Sequence, residues 1–135
     1  MTDLDLCRLA QKSAQTAYAP YSNYKVGAAL LCKNGKIYTG CNIENAAFSP
    51  TVCAERTAFF KAISEGEKEF VAIAIAGGKD GKITAPASPC GVCRQVMAEF
   101  CDPDTFRVLL VNEKDFSCHT LSALLPFGFG KNDLS

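Results

Sequence analysis

The chain has 135 residues, 48% of them hydrophobic, enough for one domain with its own core. Its 14 basic and 14 acidic residues cancel, and no long run of one sign occurs. That balance excludes a phosphate-tracking groove for a nucleic-acid polymer but admits a small neutral ligand.

The opening Met1-Thr2-Asp3-Leu4-Asp5 is acidic and lacks the basic end and apolar run of a signal peptide. No apolar stretch is long enough to span a bilayer. A cytoplasmic protein with no membrane or nucleic-acid partner is expected. Thr2 or Asp3 caps a first helix, whose inner face is Leu6, Leu9, Ala10, Ser13, Ala14 and Ala17. Pro20 disfavours helical geometry at Ala19, which predicts an end near Tyr18. Tyr21 to Tyr24 reads as a loop. A strand over Lys25–Cys32 is apolar on both faces, so it belongs inside a covered sheet. Asn34-Gly35 signals a hairpin into a second strand, Lys36–Cys41, followed by a loop to Pro50.

A helix is expected over Val52–Ser64, stopped by Gly66. Phe70–Ala76 is a continuous apolar run, read as a buried parallel strand, and Gly77–Ser88 as a loop. Pro89 introduces a helix over Cys90–Cys101 with Cys93, Val96, Met97 and Phe100 inward. Strands at Phe106–Val111 and Phe116–Cys118, then a helix over Leu121–Leu125, complete the chain. Helices alternating with buried strands predict one α/β domain over residues 1–135, a three-layer α/β/α sandwich with a mixed five-stranded sheet.

Eight cysteines in a reducing compartment point to metal or catalysis before disulfides. Cys7, Cys32, Cys41, Cys101 and Cys118 are scattered and read as small buried hydrophobes. Cys90 and Cys93 have the two-residue separation that chelates one ion from a single helical turn, and Cys53 stands at another helix start. The positive ends of both helices favour thiolates. Zinc with three thiolates carries about one negative charge by formal counting, so something must offset the sulfurs before bound water becomes acidic. Arg56 is the expected offset, and Gln95 the expected hydrogen-bond donor behind the ligands. Glu55 is the one acid inside the cluster and the natural proton carrier. Its i, i+2 spacing from Cys53 permits that role without requiring it. The pattern resembles the three-cysteine form of the zinc-deaminase signature. His119, the one histidine, has no acid or cysteine pair at ligand spacing.

With these residues in place, the sequence resembles the small homotetrameric cytidine deaminases that use a three-thiolate zinc. Tyr18–Leu30, Gly40–Ala47, the two metal segments and Leu124–Phe129 are similar to that family's blocks, in order. The resemblance implies hydrolytic deamination of cytidine and deoxycytidine, with one zinc per subunit on Cys53, Cys90 and Cys93 and Glu55 as proton shuttle. It implies that Asn42 and Glu44 hold the ribose hydroxyl, Tyr24 lines the base pocket, and Ala54 offers a backbone contact to the base. It implies that Phe129 and residues near Phe48 reach a neighbouring subunit's site in a homotetramer. Two positions depart from the family's habit, which commonly has phenylalanine at Tyr24 and often tyrosine at Phe48. Glu44, a carboxylate, accepts from a sugar hydroxyl but repels phosphate, which favours nucleosides over nucleotides.

Three other readings remain open on the sequence. One is a structural zinc module with Cys41 or another thiol as fourth ligand. Another is a thiol redox protein using Cys90-Gly91-Val92-Cys93. The last is a deaminase of a cytosine-nucleoside antibiotic, against which Asn42-Ile43-Glu44-Asn45 argues.

Overall fold

The structure, a computed structural model, describes every residue from Met1 to Ser135. In chain order it has α1 (Asp3–Ala14), β1 (Tyr24–Cys32), β2 (Ile37–Cys41), α2 (Ala54–Ser64) and β3 (Phe70–Lys79). Then come α3 (Gly91–Phe100), β4 (Arg107–Val111), β5 (Phe116–Thr120), α4 (Leu121–Leu124) and a 3-10 turn over Lys131–Leu134. No helix is long and apolar enough to cross a membrane.

The five strands lie in the order β2-β1-β3-β4-β5. Only β3 and β4 pair in parallel; β2 with β1, β1 with β3 and β4 with β5 are antiparallel. The mixed sheet is therefore as the sequence predicts. The central strand is parallel on one side only, because the hairpin places β1 against its other side.

Alternation along β3 builds both faces of the sheet. Ala72, Ala74 and Ala76 join Leu6, Cys7 and Ala10 of α1 in one core, with Leu109 and Val111. Ile73 and Ile75 join Ala58, Phe59 and Ala62 of α2, and Cys93 and Met97 of α3, in the other. The result is three layers, with α1 alone on one side. Phe59 anchors the larger core, edge-on to Phe70 at 5.1 Å and stacked with Phe100 at 6.5 Å between ring centres.

Three local differences from the sequence reading have physical causes. The first helix stops at Ala14, because Thr16 Oγ1 bonds Ser13 O and Tyr18 N–H leaves to pair with Asn42 O. β3 runs on through Gly77 and Gly78 to Lys79, because β1 is long enough to pair with all three residues. Cys41 is only half-buried and Cys118 is exposed, since β2 and β5 are the sheet edges; Cys7, Cys32 and Cys101 are buried as expected.

Gly40 seats the site. A Cβ there would lie 2.5 Å from Ala54 O and 2.6 Å from Ala58 N, so β2 touches the backbone of the first turns of α2. Gly40→Ala must push that helix off the sheet. We expect a loss of about 1–3 kcal/mol in stability, read by denaturant titration, together with weaker metal retention.

Candidate active site

Two helix starts meet at one end of the larger core. Cys53 is the N-cap residue of α2 and Cys90 that of α3, both with extended backbone. Neither side chain caps its own helix, so both sulfurs are free to serve something else. Cys93 sits one turn into α3, where a side chain meets that of the N-cap residue. Cys53 Sγ lies 3.8 Å from Cys90 Sγ, and Cys90 Sγ lies 3.5 Å from Cys93 Sγ. The three sulfurs all fall within 4.8 Å of one another, with no fourth histidine, cysteine or acid among them.

Sulfurs bound tetrahedrally at about 2.3 Å from one ion would stand about 3.8 Å apart, so the cluster fits zinc. All eight cysteines are free thiols. Cys41, the candidate fourth ligand of a structural site, points its sulfur at Thr16 O, 3.6 Å away. Cys53 completes the cluster, a role that a two-cysteine redox motif would not need.

The charge balance follows the expected lines in one respect and not in another. Arg56 Nη2 donates to Cys53 Sγ at 3.3 Å. Its Nε is buried with no protein partner. The neighbouring Cys93 thiol and the Arg56 guanidinium hold the Cys53 thiol well below its usual value. The Cys53 sulfur, together with burial, pushes Cys93 up. Metal binding displaces thiol protons. Gln95 does not stand behind the ligands: its Nε2 donates to Phe129 O at 2.8 Å instead. Arg94 also leaves the sulfurs alone and bonds Pro89 O, Ser88 Oγ and Leu124 O. The i, i+1 and i, i+2 offsets from Cys93 turn both side chains away from its sulfur.

Glu55 lies in the first turn of α2 and is 4% exposed, the one charged side chain in the core. Burial pushes its carboxyl up to about 7, against the pull of its own backbone N–H. A group poised there can take a proton and return it near neutral pH.

A cavity of about 340 Å³ opens over this cluster. Cys53, Ala54, Glu55 and Cys90 line it together with Tyr24, Asn42 and Glu44. Those seven expected residues therefore converge from β1, the loop after β2, and two helix starts. Asn42 is fixed by β1: its Oδ1 accepts from Val26 N–H at 2.9 Å and its Nδ2 donates to Tyr24 O at 2.7 Å.

A scan of protein families matches residues 1–109 to the cytidine and deoxycytidylate deaminase zinc-binding region. The chain belongs to this deaminase family. It is 53% identical over 127 residues to the cytidine deaminase of Sporosarcina psychrophila, covering 93% of this chain and 90% of that protein. The cytidine deaminase of Halalkalibacterium halodurans is 50% identical over 131 residues, covering 96% of each. The crystal structure of cytidine deaminase from Burkholderia pseudomallei superposes with a TM-score of 0.87 at 45% identity, covering 96% of this chain and all of that one. The deaminase is thus a zinc-dependent hydrolase, and its three-cysteine cluster is suited to hold the one ion.

Two expected residues lie apart in the single deaminase chain. Phe129 is 59% exposed and lines a separate hollow near the C-terminus. Phe48 is 72% exposed with φ +62°, and packs edge-on to Tyr21 over a second hollow that shares Glu44, Ser22 and Thr51. Ser22, Thr51, Pro86, Ala87 and Ser88 also line the main cavity. Sequence reasoning missed them because loop polarity and loop prolines carry no signature of their own. The deaminase blocks ran through Ser22 without marking it.

Proposed function

We propose that the chain hydrolyses cytidine and deoxycytidine to uridine and deoxyuridine with release of ammonia, as in pyrimidine salvage. The observation that carries this reading is the buried Glu55 carboxyl sharing one cavity with Cys53 and Cys90 of the three-sulfur cluster. Cys53, Cys90 and Cys93 would hold zinc, which supplies the Lewis acidity that brings the pKa of water towards ~7. Glu55 takes the proton of the attacking water and delivers it to the ring nitrogen beside the amine-bearing carbon. The oxygen adds to that carbon, giving a tetrahedral intermediate. Glu55 then carries the second proton to the amine, the carbon–nitrogen bond breaks, and ammonia leaves. Arg56 offsets the thiolate charge throughout.

The ring lies against Tyr24 and the backbone of Ala54, and the sugar against Asn42 and Glu44. Glu44 is held ionised by donors from Ser22 and Tyr21, so it favours a hydroxyl and disfavours a phosphate. A substrate panel read by ammonia release tests the reading. Cytidine and deoxycytidine should both turn over, and cytidine monophosphate at least ~10-fold more slowly, a few-kilocalorie charge conflict at most. Preference for a cytosine-nucleoside antibiotic over cytidine would overturn it.

We further propose a cytoplasmic homotetramer in which Phe129 and the Phe48 loop complete a neighbour's site. Phe127 and Phe129 line one hollow and Phe60 and Val92 another, all exposed, which supports a neighbouring subunit covering this apolar surface. Light scattering should give four times the 14.5 kDa chain mass. A fully active monomer would refute the shared site.

A further inference from the structure

Glu44 is held by more hydrogen bonds than a sugar contact requires. Its Oε1 accepts from Tyr21 N–H at 3.0 Å and from Ser22 N–H at 3.1 Å. Its Oε2 accepts from Ser22 Oγ at 2.5 Å. Ser22 Oγ in turn accepts from Tyr24 N–H at 3.0 Å. A serine hydroxyl has a single proton, and an ionised carboxylate only accepts, so that proton points at Glu44. The direction of the chain is therefore fixed: Tyr24 N–H to Ser22 to Glu44, each bond polarising the next.

An ionised carboxylate offers about four lone-pair sites. Three are filled by Tyr21 and Ser22. One remains, on Oε2. Ser22 and Glu44 both line the cavity that holds Cys53 and Glu55. Asn42 Oδ1 already accepts from Val26 N–H, and its remaining lone pair belongs to a neutral amide, a weaker acceptor than a carboxylate.

We propose that Ser22 is a positioning residue for sugar recognition: its hydroxyl locks the Glu44 carboxylate so that one lone pair, on Oε2, is left to accept one sugar hydroxyl. The proposal rests on the reading of Glu44 as the sugar contact. Without the Ser22 hydroxyl, the carboxylate keeps two backbone donors to Oε1 but loses the bond that fixes Oε2. The metal cluster is untouched, and Tyr24 stays paired with Lys79 in the sheet although its N–H loses the Ser22 Oγ acceptor, which Ser22→Thr returns. Ser22 is exposed and sits in a loop, so the fold does not depend on its side chain.

The test compares wild type, Ser22→Ala, Ser22→Thr and Glu44→Gln on cytidine and on 2′,3′-dideoxycytidine, which lacks both hydroxyls. For the dideoxynucleoside, inhibition constants replace KM where turnover is slow. Ser22→Ala should raise KM for cytidine by ~10-fold, the scale of a hydrogen bond to a charged group, with kcat changed less than ~3-fold. Its effect on the dideoxynucleoside should be below ~2-fold, and Ser22→Thr should restore cytidine KM. Glu44→Gln should erase most of the preference for the hydroxylated substrate. If Glu44→Gln leaves that preference intact, Glu44 is not the sugar contact and the proposal falls with it. If Glu44→Gln erases it while Ser22→Ala keeps wild-type KM, or weakens both ligands alike, the role of Ser22 alone is overturned.

Discussion

Glu55→Ala should keep zinc at one per chain and lower kcat by ~10²–10⁴-fold. The carboxyl is not among the clustered ligand atoms, so metal affinity has no reason to follow it. Each turnover moves two protons, and of the two acids lining the cavity Glu55 adjoins the cysteines, while Glu44 is tied up by Tyr21 and Ser22. Glu55→Gln preserves the shape and should lose nearly as much, which separates proton transfer from packing. Absorbance assays on cytidine, paired with metal analysis of the same sample, decide the matter. Normal turnover in either variant with full zinc would remove Glu55 from the mechanism.

The same burial makes a second, smaller signal in metal-free protein. Its carboxyl is raised from the usual carboxylate value to about 7, so the folded state holds that proton more tightly than the unfolded one. The stability this gives is complete below the unfolded value and is lost as pH rises through about 7. Metal-free Glu55→Gln should therefore melt higher than metal-free wild type at pH 8, relative to their difference at pH 4. Equal spacing at both pH values would show that the carboxyl is not held in this way.

Cys93→Ala should abolish zinc retention and reduce turnover by ~10³-fold or more, because no Lewis acid remains to acidify the attacking water. Cys93 is the deepest of the three sulfurs, 1% exposed, and it joins the site to the core shared by α2 and α3. The remaining pair, Cys53 and Cys90, sits at two helix ends with nothing else to grip an ion. A bound ion would tie the start of α2 to the start of α3, so its loss should lower the melting temperature in proportion to the lost binding. Chelation of wild type should reproduce that drop, and added zinc should reverse it only where Cys93 is intact. A Cys93→Ala protein with full zinc and normal melting would show that a different group holds the metal.

The chemistry was legible in the chain because its signals are local. Cys90 and Cys93 lie one turn apart, so their spacing alone states that they can share an ion. The continuous apolar runs of Lys25–Cys32 and Phe70–Ala76 placed the buried strands, since a strand covered on both faces carries apolar side chains on both. The strand limits were less legible. Gly77 and Gly78 have no preference for a strand and are held in one by β1.

The tertiary structure decided everything that depends on direction. It turned Gln95 to Phe129 and Arg94 to Leu124, while Arg56 alone reached a sulfur. Three polar neighbours of the cysteines look equivalent in sequence, but 100° per residue sends each to a different side of its helix. It also gave Ser22, a loop residue 22 positions before Glu44, a bond to that carboxylate. A spacing can say which groups share a helical turn; only the folding of the chain back on itself says which distant donors meet which acceptors.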